Sequence, residues 1–317
     1  MSVLFTFPGQ GAQRPGMLHA LPDHPETART LDEAGRALGR APDAPFHVLA
    51  LDGEAALRST VAVQLCLLVA GVAMARVLAA HGAGPRMVAG LSIGAWPAAV
   101  TAGVLDFADA VRLVRLRATL MEDAYPRGYG MSAIAGLTAR QLAPLLAAVH
   151  TPATPVYLAN LNGERQLVAA GSDAALAALA GLALQHGALR AERLAVPVPS
   201  HCALLADQAG RLAAAMEMVP LRRPQLTYVS SSAARALFDG ARIGADLAAN
   251  MAHPVLWADT VRHAWERGAR LALEMPSGSV LTRLAEPVFG AGLALACEGR
   301  RIDDLVAAVR GEDAVGA

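Results

Sequence analysis

The sequence predicts a mixed α/β chain, a parallel-sheet domain interrupted by a smaller domain of ferredoxin-like order. Three observations carry this. Short apolar runs alternate with long helical patterns up to about residue 127 and again from about 198, as buried parallel strands alternate with helices. Between them, residues 128–197 read strand, helix, strand, strand, helix, strand. Finally, Gly90-Leu91-Ser92-Ile93-Gly94 sits where an apolar strand meets a helical stretch, as a serine on a sharp strand-to-helix turn would. The expected domains are 1–127 with 198–317, and 128–197.

The elements follow in order. Val3 to Phe7 is a short apolar strand stopped by Pro8-Gly9. Residues 59–81 form a long apolar helix. Its unbroken apolar core, Leu65 to Ala75, is closed by Arg76 and reads as a buried helix too short to span a bilayer. Met87 to Gly90 is a strand, Ala95 to Gly103 begins a helix, and Phe107 to Met121 has helical apolar spacing with Arg112, Arg115 and Arg117 interleaved. In the inserted stretch, strands are expected at Met131–Leu137, Val156–Leu161, Gln166–Ala170 and Arg190–Val196. Helices are expected at Ala139–Val149 and Asp173–Gly187. A helix near 202–217, a strand at 226–230, a helix at 256–267, a strand at 270–274 and a helix at 302–310 complete the large domain.

Composition narrows the function. Twenty-seven basic and 27 acidic residues balance, so neither a nucleic-acid partner nor an acidic tail is expected. Every basic residue is Arg, and the absence of Lys excludes Schiff-base and Ser-Lys chemistry. The three cysteines, Cys66, Cys202 and Cys297, are scattered, which gives no metal spacing and no disulfide framework. The N-terminus shows neither a basic leader nor a cleavage site, so the expected location is cytoplasmic, with no membrane association and no metal.

Glycines on either side of Ser92 remove the Cβ atoms that a sharp turn cannot hold, and the following helix aims free amides at an oxyanion on an acyl-serine. A serine needs a base. Among nine histidines, His201 follows the rigid Val196-Pro197-Val198-Pro199-Ser200 segment and is presented at a fixed point, although a capping or core histidine fits the same pattern. The small residues of Phe7-Pro8-Gly9-Gln10-Gly11-Ala12-Gln13 suit either a plain turn or half an oxyanion hole, the Gln10 amide paired with that of Ile93. Arg117 lies on an apolar helix face, where it either snorkels to the surface or is buried and requires an anionic partner.

Taken together these segments resemble one family. Phe7-Pro8-Gly9-Gln10-Gly11-x-Gln13, the serine elbow, Leu116-Arg117 before Met121, and Val198-Pro199-Ser200-His201 occur in that order. Asn250-Met251-Ala252-His253-Pro254-Val255-x-Trp257 and Glu274-x-x-x-Gly278-x-Val280-Leu281 follow. The pattern is similar to malonyl-CoA:acyl carrier protein transacylases over essentially the whole chain. The resemblance implies a hydrolase-like large domain carrying the ferredoxin-like insert. It implies Ser92 as nucleophile, His201 as base, the Gln10 and Ile93 amides as oxyanion hole, Arg117 for the malonyl carboxylate, and a backbone carbonyl at Asn250 orienting the histidine. Malonyl-CoA would be the substrate, an acyl carrier protein with a CoA-derived thiol group the partner, and no cofactor would be bound by this chain. The elbow departs from the usual Gly-His-Ser-Leu-Gly-Glu, having Leu91 and Ala95. With Tyr125-Pro126-x-Gly128-Tyr129-Gly130-Met131, it is more similar to the transacylase (epsilon) subunit of malonate decarboxylase. The expected function is therefore malonyl transfer to the carrier of that assembly, with its other subunits as partners. The alternatives are the same reaction in fatty-acid synthesis, a serine hydrolase or thioesterase, and a non-catalytic scaffold.

Overall fold

The computed structural model describes residues 2–39 and 46–314. β1 (Ser2–Phe7) is followed by α1 (Pro25–Leu38), α2 (Thr60–Ala80), β2 (Met87–Gly90), α3 (Ala95–Thr101) and α4 (Phe107–Ala124). The chain then forms β3 (Tyr129–Ala135), α5 (Ala139–Val149), β4 (Val156–Gly163), β5 (Gln166–Ser172), α6 (Asp173–Gln185) and β6 (Arg190–Arg193). It returns through α7 (Ala206–Met216), β7 (Thr227–Ser230), β8 (Arg235–Leu237), α8 (Gly240–Ala249), α9 (Trp257–Glu266), β9 (Ala269–Glu274), α10 (Val280–Ala285), β10 (Leu293–Ala296) and α11 (Ile302–Ala314).

Two sheets result. The larger runs β10-β9-β1-β2-β7-β8 and is parallel except for β8, which returns antiparallel from β7. The smaller is antiparallel in the order β4-β5-β3-β6, the strand order of a ferredoxin-like unit. The fold class is thus a parallel-sheet α/β core with a separate small antiparallel sheet. Leu161 N–H donates to the Val255 carbonyl at 2.8 Å and Val255 N–H to Ala159 at 2.9 Å, so the end of β4 is stitched to the segment before α9.

β1 and β2 occupy the middle of the large sheet with Phe7 opposite Gly90, so the loops after them leave the same edge side by side. Ligands of open α/β sheets gather at this carboxyl edge. Behind it lies α2, capped by Ser59, whose hydroxyl accepts from Val61 N–H at 3.2 Å. The helix is 21 residues long, longer than its unbroken apolar run, and by length and composition alone could cross a membrane. Here 89% of its apolar window is buried inside the protein. A helix apolar all round belongs in a core.

Several elements carry too weak a sequence signal to be anticipated. α1 buries only Thr27, Thr30, Ala34, Gly35 and Leu38, so its inner face is small rather than hydrophobic. β8 and β10 are short edge strands. α10 is only six residues and is held by a buried carboxylate described below. β6 stops at Arg193 rather than continuing to Val196, because Leu194 N–H is the last to reach across, at 2.9 Å to Met131, before Pro197.

Candidate active site

The elbow explains its own glycines. A Cβ on Gly90 would stand 1.9 Å from the Gly94 carbonyl carbon, and one on Gly94 would stand 2.0 Å from the Phe7 oxygen. These are backbone atoms of β1 and of the turn itself, which cannot move aside. Between them Ser92 adopts φ 57°, in the left-handed region that non-glycine residues avoid, and its hydroxyl is turned toward the cleft.

His201 reaches Ser92 from the far side of the sequence, its Nε2 2.7 Å from Ser92 Oγ. Its Nδ1 lies 2.8 Å from the Asn250 carbonyl and 3.3 Å from that of His253. Both carbonyls can only accept, so the proton sits on Nδ1 and Nε2 is left free to accept from the serine. The backbone is fixed too: His201 N–H donates to the Met251 carbonyl at 2.7 Å, and φ is 65°. The Asn250-to-Trp257 segment thereby acquires a physical role. Its short 3-10 turn (Asn250–Ala252) and the His253 that ends it supply the carbonyls, Val255 pairs with β4, and fully buried Trp257 starts α9.

Arg117 is fully buried on α4. Its Nη1 donates to Gln64 Oε1 at 2.5 Å and its Nη2 to Ser92 Oγ at 3.3 Å, while its Nε has no hydrogen-bond partner among the described residues. Among the described residues no carboxylate forms an ion pair with it. Burial alone pulls its guanidinium down to about 9. The His201 imidazole is pushed down to about 4, first by burial and then by the Arg117 charge. It is therefore neutral at pH 7, as a base must be.

Gln10 and Ser92 line one cleft of about 400 Å³ with Met121, Met131, Asn160 and Leu281. The Phe7 carbonyl accepts from Leu91 N–H at 3.0 Å, which holds the two loops together. Ile93 follows the serine and is fully buried. The wall near Val280 and Leu281 is set by Glu274, 1% exposed, which accepts from Leu281 N–H (3.0 Å), Thr282 N–H (2.7 Å) and Thr282 Oγ1 (2.7 Å) at the start of α10. A larger cavity of about 600 Å³ opens beside Arg14–Met17 and Glu298–Asp303, but it contains no serine–histidine pair.

The fold thus brings Ser92, His201, Arg117 and the Asn250 carbonyl into one hydrogen-bonded chain, with Gln10 on the same cleft. Gln64 was not singled out from the sequence. Its signal was there, as the one polar side chain in the apolar run from Val61 to Ala75, buried to 1%.

Residues 4–293 match the acyl transferase domain family. The chain belongs to that family. This acyl transferase is 36% identical over 289 residues to the malonyl CoA-acyl carrier protein transacylase of Haemophilus influenzae, covering 90% of this chain and 91% of that protein. It is 37% identical over 290 residues to the Escherichia coli K12 transacylase of the same name, covering 90% and 92%. Among solved structures, it resembles the acyl carrier protein S-malonyltransferase of Vibrio cholerae, with TM-score 0.89, 33% identity, and coverage of 96% and 100%. It matches equally a malonyl-transacylase solved in complex with a type II PKS acyl-carrier protein, with TM-score 0.89, 33% identity, and coverage of 98% and 100%.

Proposed function

We propose that this acyl transferase moves malonyl from malonyl-CoA to the thiol of an acyl carrier protein through a malonyl-Ser92 intermediate. The observation that carries the reading is Arg117: a fully buried guanidinium beside the serine hydroxyl, with an amide partner and, among the described residues, no carboxylate. A buried charge without a counter-ion is costly, and an acyl group bearing its own carboxylate supplies one. His201 takes the Ser92 proton through Nε2 while Ser92 Oγ attacks the thioester carbonyl. The Gln10 and Ile93 amides receive the oxyanion, at roughly 3 kcal/mol per donor in comparable sites. CoA leaves as a thiol on collapse of the tetrahedral intermediate, taking the proton from His201. The carrier thiol then enters, His201 takes its proton, the sulfur attacks the malonyl-serine carbonyl, and His201 returns that proton to Ser92 Oγ as the ester bond breaks and malonyl leaves on the carrier.

The test is Arg117→Ala assayed with malonyl-CoA and acetyl-CoA. Malonyl transfer is expected to fall steeply, and acetyl transfer to stay level or improve, because only malonyl presents a free carboxylate. Equal losses for both would make the arginine structural and remove the argument for a dicarboxylic acyl group.

The relatives named above are acyl carrier protein transacylases, and they support an acyl carrier protein over the malonate decarboxylase carrier that the elbow suggested. The elbow substitutions have a local packing explanation. Leu91 lies against Gly9, where a Cβ would come within 2.6 Å of its side chain, and Ala95 is buried at the start of α3. With malonyl-CoA and the two carriers at equal concentration, kcat/KM is expected to favour the acyl carrier protein by about tenfold, or ~1.4 kcal/mol. The reverse preference would return the protein to the decarboxylase assembly.

A further inference from the structure

Two tyrosines at the crossing from the large sheet to the small one play no part in the reaction as described. Tyr125 caps α4, the helix that carries Arg117, and Tyr129 starts β3. Between them Pro126, Arg127 and Gly128 are exposed. The two ring centroids stand 4.5 Å apart with the planes tilted by 56°, close enough for a favourable aromatic contact. The Tyr125 hydroxyl donates to the Leu204 carbonyl at 3.0 Å, 79 residues further along the chain. Leu204 lies just beyond His201, in the 3-10 turn (Ala203–Leu205) that leads into α7.

The histidine is otherwise held from one side. Its N–H and its Nδ1 bond to the carbonyls of Met251, Asn250 and His253, all in one short turn. Its neighbours bond within their own segment: Cys202 Sγ donates to the Pro199 carbonyl and Ser200 N–H to that of Val198. Among the described residues, and apart from α7 itself, two further hydrogen bonds tie residues 198–204 to other parts of the chain. One is His201 Nε2 with Ser92, and the other is Leu204 with Tyr125. A second anchor beyond the ring limits rotation of the segment about the first. Tyr125 supplies it from the end of the helix that holds Arg117. The same side chain, through its ring, meets the start of β3, whose Met131 and Ala133 line the cleft.

We propose that Tyr125 is a positioning residue with two separable parts. Its hydroxyl, through the Leu204 carbonyl, holds the His201 segment in register with the Arg117 helix, and its ring, through Tyr129, holds the small sheet against the cleft. This rests on Ser92 and His201 being nucleophile and base. The hydroxyl bears on alignment of the base, and so on the chemical step. The ring bears on the wall that the substrate touches, and so on binding.

The experiment compares the full chain as wild type, Tyr125→Phe and Tyr129→Leu. Three quantities are read: kcat and KM for malonyl transfer, and the rate at which a fluorophosphonate labels Ser92. Tyr125→Phe keeps the ring and loses one hydrogen bond. Its kcat and its Ser92 labelling rate are expected to fall together by about fivefold, the scale of one ordinary hydrogen bond, with KM unchanged. Tyr129→Leu keeps the hydroxyl and loses the ring contact. Its KM is expected to rise by about threefold, the scale of one aromatic pair, with the labelling rate unchanged. Tyr125→Phe alters a single atom, so it decides the matter if Tyr129→Leu fails to fold. Wild-type kcat and labelling in Tyr125→Phe would overturn the proposal, whatever happens to the melting temperature. The same changes in kcat, KM and labelling in both variants would overturn it too, because a general loosening does not separate the two parts. Fluorophosphonate labelling does not depend on the malonyl substrate. A wild type that labels at Ser92 but transfers no malonyl would sink the transacylase reading alone, and the labelling rates of the variants would still decide this one. A wild type that does not label at Ser92 would overturn the nucleophile assignment and this proposal with it.

Discussion

Replacing Ser92 with Ala is expected to abolish transfer and the acyl-enzyme together. Incubated with malonyl-CoA, the wild type should gain one malonyl group by intact-protein mass spectrometry, and Ser92→Ala none. The expected loss in kcat is on the order of 10⁶-fold, the scale seen when the nucleophile of a comparable acyl-transfer site is removed. The basis is geometric. The hydroxyl is held in a left-handed turn between His201 Nε2 and Arg117 Nη2, at 2.7 Å and 3.3 Å, and no second serine or cysteine lies in that arrangement among the described residues. The turn itself is dictated by Gly90 and Gly94, so the variant should fold like the parent. A malonyl adduct that persists in Ser92→Ala, or that maps elsewhere, would refute the nucleophile assignment.

His201→Ala is expected to lower transfer by about 10³-fold or more, because a serine hydroxyl without a base is a poor nucleophile. The same residue sets the pH dependence. In the free enzyme its imidazole is pushed down to about 4 by burial and by the Arg117 charge, so it is neutral at physiological pH. The acid limb of kcat/KM should therefore lie near pH 4 and not at the ordinary histidine value. At the other end, burial pulls Arg117 down to about 9, so kcat/KM should fall again as the guanidinium loses its proton and its hold on the malonyl carboxylate. Bound malonyl changes the balance. Its carboxylate offsets the Arg117 charge, the repulsion on the imidazolium is relieved, and the histidine becomes easier to protonate. The acid limb of kcat, which reports the complex, should then sit at higher pH than that of kcat/KM. Identical limbs for the two parameters would show that Arg117 and the bound acyl group do not meet.

The ferredoxin-like order and the position of the serine elbow were legible in the chain because their signals are local. Strand and helix periods of 2 and 3.6 residues, and two glycines flanking a serine, are written in consecutive residues. α1, β8, β10 and α10 were not legible for the converse reason. α1 buries small residues, the two strands are short and lie at the sheet edges, and α10 starts on a carboxylate six residues upstream of it. In the site, Arg117 could be read as buried or snorkelling, and His201 as base or core residue. Those alternatives differ only in what stands opposite in space.

The sequence by itself determined the kinds of group available: a serine at a turn, one histidine behind two prolines, one arginine on an apolar face, no lysine, and a glutamine in a buried helix. Tertiary structure alone decided which of them meet. Ser92 and His201 are 109 residues apart, and Ser92 and Arg117 are 25 apart; only the central placement of β1 and β2 and the turn at 250–253 bring them together. Protonation was decided there as well. The arginine loses proton affinity through burial and the histidine through burial and the arginine's charge, and neither burial nor distance can be computed from a chain whose path through space is unknown.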